Sequence, residues 1–275
     1  MKQTFFYFFM VLSFLSQWGC SEYNRIMKSP NPELKYKKAI EYYEDEEYLK
    51  SLPLFVELLP LYKGTEKGQK IYYYFAYNNY KLGNLITAAY HFRKYASTFS
   101  MSDQAQDAMF MSAYCNYLDS PNSSLDQTPS LLALEEFQLF VNTYPESNLV
   151  DSANTIVDRL NQKIENKSFE NSRQYFTIRK FKSAIVAMEN FLVDYPASRY
   201  KEEAKIIVLK SYYELATNSI FEKKKERYDK GIEAYYDFID NFAGSVKINE
   251  AEVIYAKLVK EREEFLSENP DQNEL

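Results

Sequence analysis

Apolar residues recur along most of this chain at the three-and-four spacing of an amphipathic helix. From Ser147 to Arg179, a stretch with no Gly or Pro, they fall at Val150, Ala153, Ile156, Val157, Leu160, Ile164 and Phe169. That pattern predicts one long helix, or two nearly collinear ones. A second series, Ala251, Ile254, Leu258 and Phe265, predicts a last helix from Lys247 to about Leu266. The helical pattern is punctuated by a phrase of aromatic, aromatic, serine and alanine that returns four times. Its copies are Tyr95, Phe99, Ser102, Ala108; Phe140, Tyr144, Ser147, Ala153; Phe191, Tyr195, Ser198, Ala204; and Phe238, Phe242, Ser245, Ala251. They lie 45, 51 and 47 residues apart, so one supersecondary unit is reused with insertions. Stacked units of this size make a solenoid, which generally works by holding something.

The first units align without gaps at a spacing of 37: Tyr36 with Tyr73, Ala39 with Ala76, Tyr43 with Tyr80, Phe55 with Phe92 and Leu58 with Tyr95. The next first helix follows at the same spacing, with Phe110, Ala113, Tyr114 and Tyr117 matching Tyr73, Ala76, Tyr77 and Tyr80. Within a unit two helices meet at a tight turn, shown best at Gly83-Asn84, where Gly can take the left-handed conformation that ends a helix. A Ser-, Pro-, Asn- and Asp-rich insertion between Asp119 and Pro129 lengthens one connection. Phe181 to Tyr195 completes a fourth unit, and a fifth spans roughly Arg199 to Phe242 with Glu222 to Glu226 at its turn. The last helix closes the stack, as solenoids require. The predicted fold is all-α: five helix-turn-helix units plus a capping C-terminal helix. It divides into a front half at 33–146, a long linking helix with the back half at 147–266, and a disordered tail at 267–275.

The first twenty residues differ from the rest. Lys2 supplies a positive end, Phe5 to Leu15 form an apolar run of signal-peptide length, and Gly19-Cys20 follows a short polar step. No later segment approaches the roughly 20 apolar residues that crossing a bilayer requires. Apolar run, Gly and Cys resemble a bacterial lipoprotein signal, which implies that residues 1–19 are a signal peptide and Cys20 the acylated N-terminus of the mature chain. The alternative is a secreted chain cleaved nearby. Two or more acyl chains would give stable attachment. The polar stretch 20–32, with Ser29-Pro30-Asn31-Pro32, reads as a tether. The other cysteine, Cys115, lies in a helical pattern and is expected to be a packed core thiol.

Composition narrows the function. A net charge of −6 and a pI near 5.2 exclude a nucleic-acid footprint, which needs clustered Lys and Arg. The basic run Lys223 to Lys225 is flanked by Glu222 and Glu226 and reads as a solvated helix face. The single histidine, His91, has no nucleophile motif around it, and zinc sites want several His or Cys at set spacing. Glu44 to Glu47 lack the spaced ligands and Gly of a calcium loop, Glu57 and Glu66 suggest no acid/base pair, and no phosphate-binding Gly loop is present. Neither an enzyme nor a cofactor is expected.

Small, aromatic and Pro positions recurring in units of about 34 residues describe the tetratricopeptide repeat, carried by Ala39, Phe55, Ala76, Ala88, Phe92, Ala133, Phe137, Pro145, Ala184 and Pro196. Ser51 and Gly231 replace the small Ala of units one and five, and Asn79 and Asn116 stand where a Tyr is common. Five such units behind a lipoprotein signal resemble the BamD family of outer-membrane barrel-assembly lipoproteins, most closely over 175–204 and 33–55. The resemblance implies a lipid-anchored protein at the outer membrane, facing the periplasm. It implies as partners a barrel insertase of the BamA type, other lipoproteins of that assembly complex, and unfolded outer-membrane protein precursors, recruited through their terminal strand. The rival within binding proteins is another periplasmic repeat lipoprotein, coordinating envelope division or capturing glycans. The lone Trp, lost with the signal, counts against glycan capture.

In tetratricopeptide stacking the first helix of each unit lines the concave face at three positions. Here these are Tyr36, Ile40 and Tyr43; Tyr73, Tyr77 and Tyr80; and Phe110, Tyr114 and Tyr117, eight of nine aromatic. Tyr offers apolar area with a hydroxyl at low entropy cost, suited to grasping an extended, aromatic-rich segment. A peptide-binding groove lined by Tyr36, Tyr43, Tyr73, Tyr77, Tyr80, Phe110, Tyr114 and Tyr117 is therefore one expectation. An aromatic stripe forming interhelical core is the other.

Overall fold

A computed structural model of the protein describes residues 22–273, and all regular structure among them is helical. The expected signal peptide, Cys20 and the last two residues of the expected tail lie outside the described residues. A short helix α1 (22–27) precedes α2 (Pro32–Glu44), α3 (Tyr48–Leu61), α4 (Glu66–Lys81), α5 (Leu85–Thr98), α6 (Ala105–Asp119) and α7 (Thr128–Thr143). Then follow α8 (Val150–Thr177), α9 (Phe181–Asp194), α10 (Lys201–Thr217), α11 (Phe221–Phe242), α12 (Ile248–Glu268) and a 3₁₀ turn, Pro270–Asn273. Five helix pairs from α2/α3 to α10/α11 are the repeats, and α12 is the cap. Among the described residues no helix is long and apolar enough to cross a membrane.

Local chemistry sets the helix ends. Asn31 caps α2, its Oδ1 accepting from the N–H groups of Glu33 (3.0 Å) and Leu34 (3.3 Å), with Pro32 in the first turn. Thr65 caps α4 by accepting from Gly68 N–H at 3.0 Å. Gly83 joins α4 to α5 at φ 77°, the left-handed turn expected from the sequence. The recurring phrase is structural punctuation. Its first aromatics, Tyr95, Phe140, Phe191 and Phe238, and its alanines, Ala108, Ala153, Ala204 and Ala251, are all buried. The serine turns the chain into the next helix: the Oγ of Ser147, Ser198 and Ser245 accepts from the N–H two residues on, at 3.2, 2.9 and 2.8 Å. The same hydroxyls also bond Gln106, Glu165 and Glu202 respectively.

The chain forms two compact units, one ending at Asn161 and the other beginning at Gln162. In the first, buried layers follow the repeats: Ala39, Leu54, Phe55 and Leu58; then Ala76, Ala88, Phe92 and Tyr95; then Ala113, Ala133, Phe137 and Phe140 with Leu160 of α8. In the second, Phe169 of α8 packs with Met188, Phe191, Leu209, Phe238 and Leu258. Each such aromatic contributes about 1.5–3 kcal/mol by leaving water. The four expected anchors of the cap, Ala251, Ile254, Leu258 and Phe265, are all buried.

The structure differs from the sequence expectations in four places. Residues 20–32 are not a free tether over their described length: α1 is helical, Ile26 is 2% exposed, and Tyr23 packs edge-on against Tyr42 at 6.0 Å. The boundary between units falls inside α8 and not at 146/147, because the start of α8 packs with α7 and its end with α9 and α10. Glu222 to Glu226 are helical in α11, and the turn of unit five is at 218–220. Tail residues 267–273 continue α12 and form the 3₁₀ turn.

The substituted repeat positions have partners. Ser51 is fully buried, and Asn78 is buried beside it. In the amide orientation that satisfies both, Asn78 donates to the Tyr48 carbonyl (3.0 Å) and accepts from the Ser51 hydroxyl and Leu52 N–H. Asn79 donates to the Phe75 carbonyl at 2.9 Å and Asn116 to Glu136 at 2.8 Å. Gly231 is small because Leu258 of the cap lies against it: a Cβ there would stand 2.8 Å from Leu258 Cδ2.

Candidate functional site: a tyrosine-lined face of the front unit

α2, α4 and α6 carry the eight aromatics expected to line a groove, and all eight are partly buried. Their environments divide them into two sets. Tyr73 and Tyr77 both donate to Asp107 Oδ2, at 2.6 and 2.5 Å, so one carboxylate in the first turn of α6 ties down two phenols of α4. That position suits a carboxylate, because the exposed N–H groups of a helix start favour negative charge. Burial first, and Asp107 next, push both phenols well above the ordinary tyrosine range. Tyr77 also packs edge-on against Phe92 at 4.8 Å. Tyr43 lies among Tyr48, Tyr74 and Phe55, and burial pushes its phenol up to about 12. Phe110 meets Phe137 and Phe140 edge-on, each at 5.5 Å. Tyr36 faces Tyr62, with the Lys67 ammonium over both rings.

The second set is Tyr80, Tyr114 and Tyr117. Tyr114 lies 6.4 Å from Tyr80 and 6.0 Å from Tyr117, forming one continuous aromatic strip across α4 and α6. Their hydroxyls make no hydrogen bond to any described residue. The stripe is thus core at one edge and an open surface with unused donors at the other.

Residues 28–230 match the model of the YfiO family, described as outer membrane lipoprotein. The chain belongs to this family of outer-membrane lipoproteins. The match takes in α2, α4 and α6, and stops within α11, before the cap. No curated protein shows a significant match to the chain.

In this lipoprotein the remaining chemistry-bearing side chains have structural surroundings. The Tyr72 hydroxyl bonds His91 Nδ1 at 2.9 Å, and the ring lies 4.7 Å from Phe75; burial lowers the His91 pKa. Cys115 is a buried free thiol, as expected, and burial pushes it up to about 12. Among the described residues, no three His, Cys, Asp or Glu gather as a metal site. Sequence reasoning missed two polar centres. One is Asp107, whose Tyr partners lie 34 and 30 residues away. The other is Glu136, which accepts from Ser112 (3.1 Å) and Asn116 (2.8 Å), pairs with Arg93, and edges an apolar cleft of about 300 Å³ among α5, α6 and α7. Spacing alone signals neither, since each pairing crosses between helices.

Proposed function

We propose that this protein is a lipid-anchored scaffold of the outer-membrane β-barrel assembly machinery. It is held at the periplasmic face through Cys20 and binds a barrel insertase of the BamA type together with unfolded barrel precursors. The family and the helical-repeat fold support the reading, since such stacks present extended binding surfaces. The observation that carries the peptide-binding part is the strip Tyr80, Tyr114 and Tyr117, whose phenols are half-buried, contiguous and without internal hydrogen-bond partners. A partly exposed phenol keeps its rotamer while offering ring and hydroxyl to an incoming strand. The expected groove residues Tyr36, Tyr43, Tyr73, Tyr77 and Phe110 would shape its floor.

The test uses Tyr80→Ser and Tyr114→Ser with a peptide from the terminal strand of an outer-membrane barrel. Binding weakens about tenfold per substitution, which is about 1.4 kcal/mol, while the melting temperature changes little. Unchanged affinity, or collapse of the fold, counts against the groove. Tyr77 is a poor choice for this test, because its replacement also removes one of the two phenols that bond Asp107.

A further inference from the structure

A row of exposed aliphatic side chains runs along one edge of the front unit. Leu49, Ile86 and Leu131 occupy the same repeat position, 37 and 45 residues apart, in the register that aligns Phe55, Phe92 and Phe137. They are 78%, 72% and 53% exposed. Each stands at the start of a second helix, α3, α5 or α7, just after the chain has turned back from α2, α4 or α6. In stacked antiparallel pairs these turns share one edge. Exposed Leu132, and Leu125 in the turn before α7, extend the row. At the same position in the following repeats stand Lys182 and Asp229, so the row is confined to the front unit. Isolated exposed leucines are ordinary, but a row in repeat register is an apolar surface.

The N-terminal end of the chain arrives at this edge. α1 folds back along α2, with Ile26 buried, Tyr23 against Tyr42, and Glu22 paired with Lys38 at 3.4 Å. Lys50, the neighbour of Leu49, lies over the Tyr42 ring at 5.4 Å. Glu22 therefore sits beside the second half of α2, towards the turn into α3. Cys20 is two residues earlier, and two residues span at most about 7 Å. An acyl group on Cys20 therefore brings the bilayer surface to the side of the front unit that carries this edge.

We propose that this edge rests on the bilayer itself, with Leu49, Ile86, Leu125 and Leu131 entering the interfacial zone. The proposal builds on the lipidation of Cys20. The docked α1 and the apolar row hold the front unit edge-on to the lipid, where a free tether would let it swing. Glu44, Asp45, Glu46, Glu47 and Asp126 on the same edge outnumber Lys50 and Lys81, so zwitterionic headgroups fit it better than anionic ones.

The test places an environment-sensitive fluorophore on the full lipidated chain carrying Ile86→Cys, Leu131→Cys or, at the opposite edge in the turn between α5 and α6, Met101→Cys. Buried Cys115 does not compete for the label. In phosphatidylcholine vesicles containing a lipid with a headgroup-level nitroxide, emission is strongly quenched at positions 86 and 131 and unaffected at 101. Exchange of phosphatidylcholine for anionic lipid reduces the quenching. Equal quenching at all three sites, or none at 86 and 131, overturns edge docking. Intact mass separates the two readings: an acylated chain without quenching sinks edge docking alone, and a chain with no acyl mass at Cys20 sinks both.

Discussion

Gly68 shows how tightly a single position is specified. It lies in the first turn of α4, and a Cβ there would meet the Tyr62 carbonyl oxygen at 2.0 Å, a backbone atom with nowhere to go. Gly68→Ala should cost about 1–3 kcal/mol, read as a lower melting temperature for the front unit; an unchanged melting point would mean the turn at 62–65 relaxes freely. The buried tyrosines make a second prediction. Tyr43, Tyr72, Tyr212, Tyr213 and Tyr228 are pushed up to about 12, with burial the leading cause. Between about pH 10, where free tyrosine ionises, and pH 12 the unfolded chain has released protons that the folded chain keeps. The contribution of these tyrosines is therefore constant below about pH 10 and is lost as pH rises through that window. Tyrosinate absorbance and helical circular dichroism should change together there; early, gradual tyrosine ionisation with intact helicity would contradict it. At this scale the sequence showed which residue types repeat but not their partners. Ser51 read as a departure from the small Ala of its repeat, and only the fold places Asn78 against it.

Between elements, the repeats are joined by polar pins across a mostly apolar stack. Asp107 is the clearest: two phenols of α4 converge on a carboxylate of α6. Hydrogen bonds to a charged acceptor are stronger than neutral ones, so Asp107→Ala should cost the front unit about 2 kcal/mol. Asp107→Asn, which keeps an acceptor, should cost less. Equal melting points for the two variants would show that a neutral acceptor recovers nothing, and an Asn variant as stable as the native chain would show that the carboxylate charge does not matter. The helices themselves were legible because their signals are local: periodic apolar residues, Gly83, the Pro129 start of α7, and an uninterrupted α8. Less legible was α1, since Ser29-Pro30-Asn31-Pro32 reads as linker while Tyr23 and Ile26 are too few to show a period. Glu222 to Glu226 misled in the opposite way, since charge suits the exposed first turns of α11 as well as it suits a loop.

For the whole molecule, repeat number, all-helical class and cap were visible in the spacing of one phrase, because a solenoid writes its tertiary structure as sequence period. What spacing could not reveal is which aromatics face inward, since first-helix tyrosines have the same period whether they pack or bind. The structure places Tyr73, Tyr77 and Phe110 on the packed side and leaves Tyr80, Tyr114 and Tyr117 with open hydroxyls. The central claim, a scaffold in barrel assembly, is tested most directly by affinity purification of the full lipidated chain from detergent-solubilised outer membrane. The account predicts stoichiometric recovery of a large barrel protein bearing periplasmic repeats; recovery of peptidoglycan or glycan partners without any barrel protein would contradict it.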